Sequence, residues 1–223
     1  METKPTAIVY VDGLNLYKRL LEGSPEYKWL DIYKMAEILL PTHEIVTVHY
    51  FTSRIKPPIN DPQAPNRQDA YIRALQANCN KVTVTFGRMT SKDRLFPKSP
   101  IVIDEDGRPV LVKVRMTEEK GSDVALASRM VMDAAAGRAD MFVLVSSDSD
   151  FAPTLELLTS ELRVKIGLLS PSPKPSRSLV LANHQLVKII RNSILSDSQM
   201  SESVGVSGAF VKRPIPWIKN GTP

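Results

Sequence analysis

Asp12, Asp123, Asp148 and Asp150 stand in VDGLN, KGSDV and SSDSDF, each where an apolar run or a loop hands over to a helical segment. Carboxylates brought a few ångströms apart by folding repel one another unless a cation or a proton compensates them. The pattern points to a pocket for a divalent metal. Taken singly, Asp12 and Asp123 have a plainer use: Asp12 could cap the helix beginning near Leu14, and Asp123 the helix running to Ala136. Asp148 and Asp150 resist that reading, because two acids at i and i+2 after a buried strand repel each other where solvent and ligand meet. Ser146 and Ser147 are expected to contact substrate, or to orient the carboxylates and bound water, although serine after a strand is also common turn chemistry. All-oxygen donors favour Mg²⁺ or Mn²⁺ over zinc. His43, His49 and His184 lack paired spacing and Cys79 is alone, so the histidines read as surface or core residues.

The elements that must position these acids are legible as apolar runs rich in valine and isoleucine at Ala7 to Val11, Ile45 to Phe51, Val82 to Phe86, Met141 to Val145 and Val164 to Leu169. Helical spacing fills the gaps at Leu30 to Leu40, Gln68 to Asn78, Asp123 to Ala136 and Pro153 to Leu162. This alternation predicts an α/β fold: a mainly parallel sheet of about five strands, covered on both faces, with functional groups beyond the carboxyl ends of the strands. Pro100 to Met116 departs from it and reads as an inserted β-hairpin around Asp104-Glu-Asp-Gly107. An EF-hand is excluded there, because no glutamate follows at the twelfth position. Pro57 to Pro65 and Pro171 to Pro175 read as loops. One domain is expected over residues 1–192. A serine-rich tail over 193–223 then ends in an extended segment whose Trp217 is expected to dock on the core.

Lysine and arginine number 29 against 24 aspartates and glutamates, and the distribution is more informative than the surplus. No acid occurs from Leu162 to Leu195, where Arg163, Lys165, Lys174, Arg177, Lys188 and Arg191 are basic. This is either a solvated face or a surface that tracks phosphates beside an acidic pocket. Lys120 stands at the entrance of the helix that carries Asp123 and is a candidate phosphate contact. No apolar run approaches the roughly 20 residues that span a bilayer. The first run ends directly in Asp12, so it reads as a strand and not a signal peptide. With a single cysteine, the expectation is a half-buried thiol in a cytoplasmic protein. The absence of a GxxxxGK segment excludes a P-loop nucleotide hydrolase.

VDGLN near the N-terminus, EKGSDVALAS before a long helix and LVSSDSDF after a buried strand, in that order, resemble the NYN domain, a branch of the PIN-like metal-dependent ribonucleases. The resemblance covers roughly residues 5–192. It implies a three-layer α/β/α, Rossmann-like fold and an endonuclease site that uses Mg²⁺ or Mn²⁺ on RNA, with single-stranded DNA as another substrate and a homodimer as a plausible assembly. Carried over by position, it assigns metal-binding or catalytic roles to Asp12, Asp123, Asp148 and Asp150, with Asn15 beside them. Many relatives carry a further acid on the helix where this chain has Arg129. Asp133, ten residues beyond Asp123, is turned about 80° away on an ideal helix and is expected outside the pocket. The rival to catalysis is an RNA-binding or scaffold protein that retains the acidic pocket without using it.

Overall fold

The computed structural model describes residues 3–182, 185–206 and 208–218. Strand β1 (Thr6–Asp12) lies at the centre of a seven-stranded sheet with the order β4-β3-β2-β1-β5-β6-β7. The others are β2 (Glu44–Ser53), β3 (Val82–Pro97), β4 (Leu111–Lys120), β5 (Met141–Val145), β6 (Lys165–Ser170) and β7 (Leu186–Ile189). All neighbouring pairs are parallel except β3 with β4. The chain winds outward from β1 to β4, then returns through helix α4 (Ser122–Ala135) to lay β5 against β1's other side. The winding direction reverses between β1 and β5, and such reversals open a crevice beyond the strand ends.

Period-two alternation in β1 explains why helices cover both faces. Ala7, Val9 and Val11 point into one apolar cluster, with Met35 of α2 (Ile32–Leu39), Leu75 of α3 (Ala64–Asn78) and Leu195 of α7 (Asn192–Asp197). Ile8 and Tyr10 point into the other, with Leu126 of α4, Leu155 of α5 (Ala152–Ser160) and Leu179 of α6 (Arg177–Ala182). A strand buried on both faces needs apolar residues at every position, which is why β1 and β5 read as unbroken runs. No helix among the described residues is long and apolar enough to cross a membrane.

Two expectations are corrected. The sheet has seven strands, because the hairpin's second arm joins it as β4 and a short sequence conceals β7. The hairpin's first arm is not Pro100 to Ile103, which contributes only the Ile103–Pro109 bridge. It is the extension of β3 to Pro97, paired from Arg88–Lys120 to Pro97–Leu111. Asp104 builds the turn, its Oδ1 accepting from the amides of Asp106 at 3.0 Å and Arg108 at 2.8 Å. The segment Pro171 to Pro175 is a loop as expected, and helix α6 begins two residues later at Arg177.

The chain past residue 192 joins the core. Leu195, Met200, Val204 and Val211 are buried in the first cluster, the last two within the two-stranded sheet of β8 (Ser203–Val206) and β9 (Ala209–Lys212). Trp217 closes the segment, its ring 6.2 Å from Trp29 and 6.4 Å from Tyr71.

Candidate active site

Asp12 is the last residue of β1 and the N-cap of the short helix α1 (Gly13–Leu16), so its position follows from the strand-to-helix turn itself. Its Oδ1 accepts from the Asn15 amide at 3.0 Å, and its Oδ2 accepts from Ser146 Oγ, beyond the end of β5, at 2.9 Å. Capping and site-building are thus done by opposite oxygens of one carboxylate. Asn15 makes a second bridge between the strand ends, its Oδ1 accepting from Ser147 N at 3.0 Å and Ser147 Oγ at 2.9 Å. Ser146 Oγ also accepts from Asp148 N at 3.1 Å, and Asp148 Oδ1 accepts from Asp150 N at 3.1 Å. A continuous polar network therefore ties VDGLN to SSDSD.

Asp123 enters from α4. It is not the cap of that helix. Gly121 occupies the cap position at φ 95°, a left-handed conformation that suits glycine. One free N-terminal donor, Ser122 N, is met by Glu119 at 3.1 Å, and Glu119 also accepts from Ser122 Oγ at 2.7 Å. Asp123 is left with one weak contact, from Ser122 Oγ at 3.3 Å. Glu119 also accepts from Ser53 Oγ at 2.9 Å, over Gly87. A methyl group on Gly87 would sit 2.0 Å from Glu119 Oε1. Sequence reasoning passed over Glu119, although it stands within the EKGSD motif.

The acids feel one another. Asp12 is 5 % exposed, and burial, reinforced by the charges of Asp123 and Asp148, pushes its carboxyl up to about 6. The amide of Asn15 and the hydroxyl of Ser146 oppose that rise. Asp123 is also raised, by burial first and then by Glu119, Asp148 and Asp150. Among the described residues no three His, Cys, Asp or Glu side chains form a ready cage for a metal ion. Magnesium needs less, since it commonly binds one or two carboxylates and fills its other positions with water and substrate phosphate oxygens. Hard oxygen donors, mutual repulsion, and an Asp150 carboxylate that accepts no hydrogen bond among the described residues fit such an ion.

Other site expectations fare differently. Ser146 is fully buried and bonded to Asp12, and Ser147 has both its amide and its hydroxyl bonded to Asn15, so both serines tie the strand ends together. Arg163 and Lys165 lie at the wrong end of the sheet. Lys165 is in register with Met141 and Ala7, five residues below Asp12 or about 17 Å along the strand. Arg177, exposed at the start of α6, follows the carboxyl end of β6 and is on the pocket side. Lys120 is beside Glu119 and pairs with Glu118 at 3.5 Å. Lys188 is committed to the Leu39 carbonyl at 2.7 Å.

Asp133 is fully buried away from the pocket, bonded to Tyr10 Oη at 2.9 Å, Arg129 Nε at 2.8 Å and Arg138 Nη1 at 2.5 Å. Burial alone would raise its carboxyl, but these donors together hold it below the ordinary range. His49 completes this network, with Nε2 3.3 Å from Asp133 and Nδ1 2.6 Å from Thr83 Oγ1. Half-buried His43 lies 3.1 Å from Thr42 Oγ1, whereas His184 is outside the described residues.

A doubly wound α/β sheet with repelling carboxylates at its reversal point defines the class: open α/β proteins, in which ligands generally bind beyond the strand ends. Within that class the chain belongs to the NYN domain family, which matches residues 6–190. That family points to a nuclease. A curated relative, 6-hydroxy-3-succinoylpyridine 3-monooxygenase of Pseudomonas putida, is 28% identical over 202 residues, covering 81% of this chain. The match spans 63% of that relative's length. A solved Vibrio parahaemolyticus protein of unknown function shares the fold, with a TM-score of 0.51 and 18% identity over 86% of this chain and 96% of that one.

Proposed function

We propose that this protein is a metal-dependent endoribonuclease of three-layer, PIN-like architecture, hydrolysing RNA with Mg²⁺ or Mn²⁺ held by Asp12, Asp123, Asp148 and Asp150. The observation that carries this reading is the mutual electrostatic influence of the carboxylates around a buried Asp12 at the sheet's reversal point. When bound, the ion supplies charge stabilisation at the phosphate and a water acidic enough to attack near neutral pH. The chain's own residues do the positioning. Ser146 fixes Asp12, Asn15 locks the two strand ends together, and the turn at Asp148 presents Asp150 to solvent. Arg177 and Lys120 are on the side from which a phosphate backbone would approach. Family membership supports the nuclease class, and the hard oxygen donors support the metal.

A second reading, RNA binding without cleavage, is favoured by the lack of a ready three-residue cage among the described residues. Incubating the purified protein with RNA and single-stranded DNA panels in Mn²⁺ or Mg²⁺ separates the two. Cleavage of RNA is expected to fall by about 100-fold or more in Asp148→Asn and Asp12→Asn, and to vanish in EDTA. Cutting that survives both substitutions and chelation overturns the mechanism, whereas binding without cutting by the wild type selects the second reading. The relative's name describes oxygenation of a pyridine, so the same preparation, given that compound and NADH as electron donor, should show no oxygen consumption if the nuclease reading holds.

A further inference from the structure

Beside the acidic cluster, on the α3 face, a cavity of about 570 Å³ opens beyond the ends of β1, β2 and β3. It shares Gly13 and Glu119 with the acidic site, but its character is different. Tyr17, Tyr50, Tyr71 and Trp217 line it, so four aromatic rings face one space. The Tyr50 phenol is pushed up to about 12, by burial above all, and is a neutral hydroxyl near pH 7. Four cations also line the space: Lys18, Lys28, Lys56 and Arg67. Lys18 is neutralised by Glu22 at 2.6 Å and Arg67 by Asp61. Lys28 and Lys56 are not neutralised. Lys28 Nζ donates to Tyr17 Oη at 3.2 Å and Lys56 Nζ to Ser91 Oγ at 3.0 Å, both uncharged acceptors. Neither lysine pairs with a carboxylate among the described residues.

This combination selects for a ligand. Aromatic walls favour a flat ring, and ammonium groups whose charge is uncompensated at the rim favour an anion attached to it. The volume falls within the range of small-molecule sites. Trp217 belongs to the C-terminal segment, so docking of that segment against Trp29 and Tyr71 completes the wall. We propose that this cavity binds a single planar aromatic ring carrying an anionic group, the chemistry shared by a nucleotide and a free aromatic acid, with Lys28 and Lys56 receiving the anion. The site stands independently of RNA cleavage, since it uses none of the four aspartates.

Trp29 and Trp217 are the two tryptophans, and Trp29 is fully buried, so quenching of intrinsic fluorescence reports on the cavity. The full chain is titrated in EDTA with AMP, UMP, adenosine, nicotinate, nicotinamide and inorganic phosphate, with calorimetry in parallel. Saturable quenching by a nucleotide or by nicotinate is expected, with the uncharged counterparts about 10-fold weaker or worse. Lys28→Gln combined with Lys56→Gln should weaken binding about 10-fold. Trp217→Phe should lose the quenching yet retain calorimetric binding, and Asp148→Asn should bind like the wild type. Binding of AMP or UMP alone identifies a nucleotide as the source, and binding of nicotinate alone a free aromatic acid. The proposal is overturned if no ring-bearing anion saturates below about 10 mM, if adenosine and nicotinamide bind as well as their anionic counterparts, or if the double lysine variant binds unchanged. Loss of binding in Asp148→Asn would also overturn it, by moving the ligand to the acidic site. Failure of RNA cleavage would leave all these measurements untouched.

Discussion

Asp12 carries a cost that its position explains. Its folded carboxyl is raised to about 6 from 3.8, so the protonated form is the one the fold favours. The stability this contributes is fully present below the unfolded pKa and is lost as pH rises through about 6. Ionised Asp12 then costs roughly 2–3 kcal/mol in metal-free protein. Asn fits the same two contacts, accepting from Asn15 N and bonding Ser146 Oγ, without the charge. In EDTA, Asp12→Asn should therefore be more stable than the wild type above pH 7, and their urea midpoints should converge towards pH 4. Parallel pH profiles would sink this account. Added Mn²⁺ should raise the melting temperature of the wild type at pH 8 and leave that of the variant nearly unchanged. Asp133 is the contrasting acid: Arg129 and Arg138 reach it from the half-exposed surface and Tyr10 from within the core, so its charge is compensated by the fold.

At the scale of elements, the β1–α1 turn has no room for a side chain at Gly13. A methyl group there would lie 2.6 Å from Tyr50 Cζ and 2.7 Å from the Phe51 carbonyl oxygen. One of these is backbone, so relief requires the turn or β2 to shift. Gly13→Ala should cost about 2–3 kcal/mol and lower the melting temperature by roughly 4–10 °C. A thermal shift within about 1 °C of the wild type would show that the turn yields easily. Much of the element pattern was legible beforehand. Met141 to Val145 is β5 to the residue, because a strand buried on both faces must be apolar throughout. The arm of β3 from Arg88 to Pro97 was not, since a ribbon projecting into solvent carries charges on either face and shows no apolar periodicity.

Across the whole molecule, sheet polarity decides which cations can serve the acidic site. The basic run from Leu162 to Leu195 is continuous in sequence but split in space. Arg163 and Lys165 precede β6 and lie at its amino end, whereas Lys174 and Arg177 follow it at the carboxyl end, where Asp12 and Asp148 also lie. If RNA crosses the acidic site, Lys174→Gln with Arg177→Gln should weaken RNA binding severalfold and flatten its salt dependence. Arg163→Gln with Lys165→Gln should leave both unchanged. Filter binding at several salt concentrations checks this, and the reverse result would place the RNA elsewhere.

What the sequence determined by itself was local: apolar runs that must be buried, helices spaced at their period, and aspartates in motifs at strand ends, each fixed by chemistry within a few residues. Tertiary structure decided everything that depends on which ends meet. It paired Asp12 with Ser146 across the reversal point, bonded Glu119 to Ser122 beside a nearly unbonded Asp123, and moved Arg163 and Lys165 to the far side. It also brought Trp217 onto Tyr71, closing a cavity whose walls come from opposite ends of the chain. Distances between residues more than a hundred positions apart depend on strand order and direction, and no local pattern encodes those.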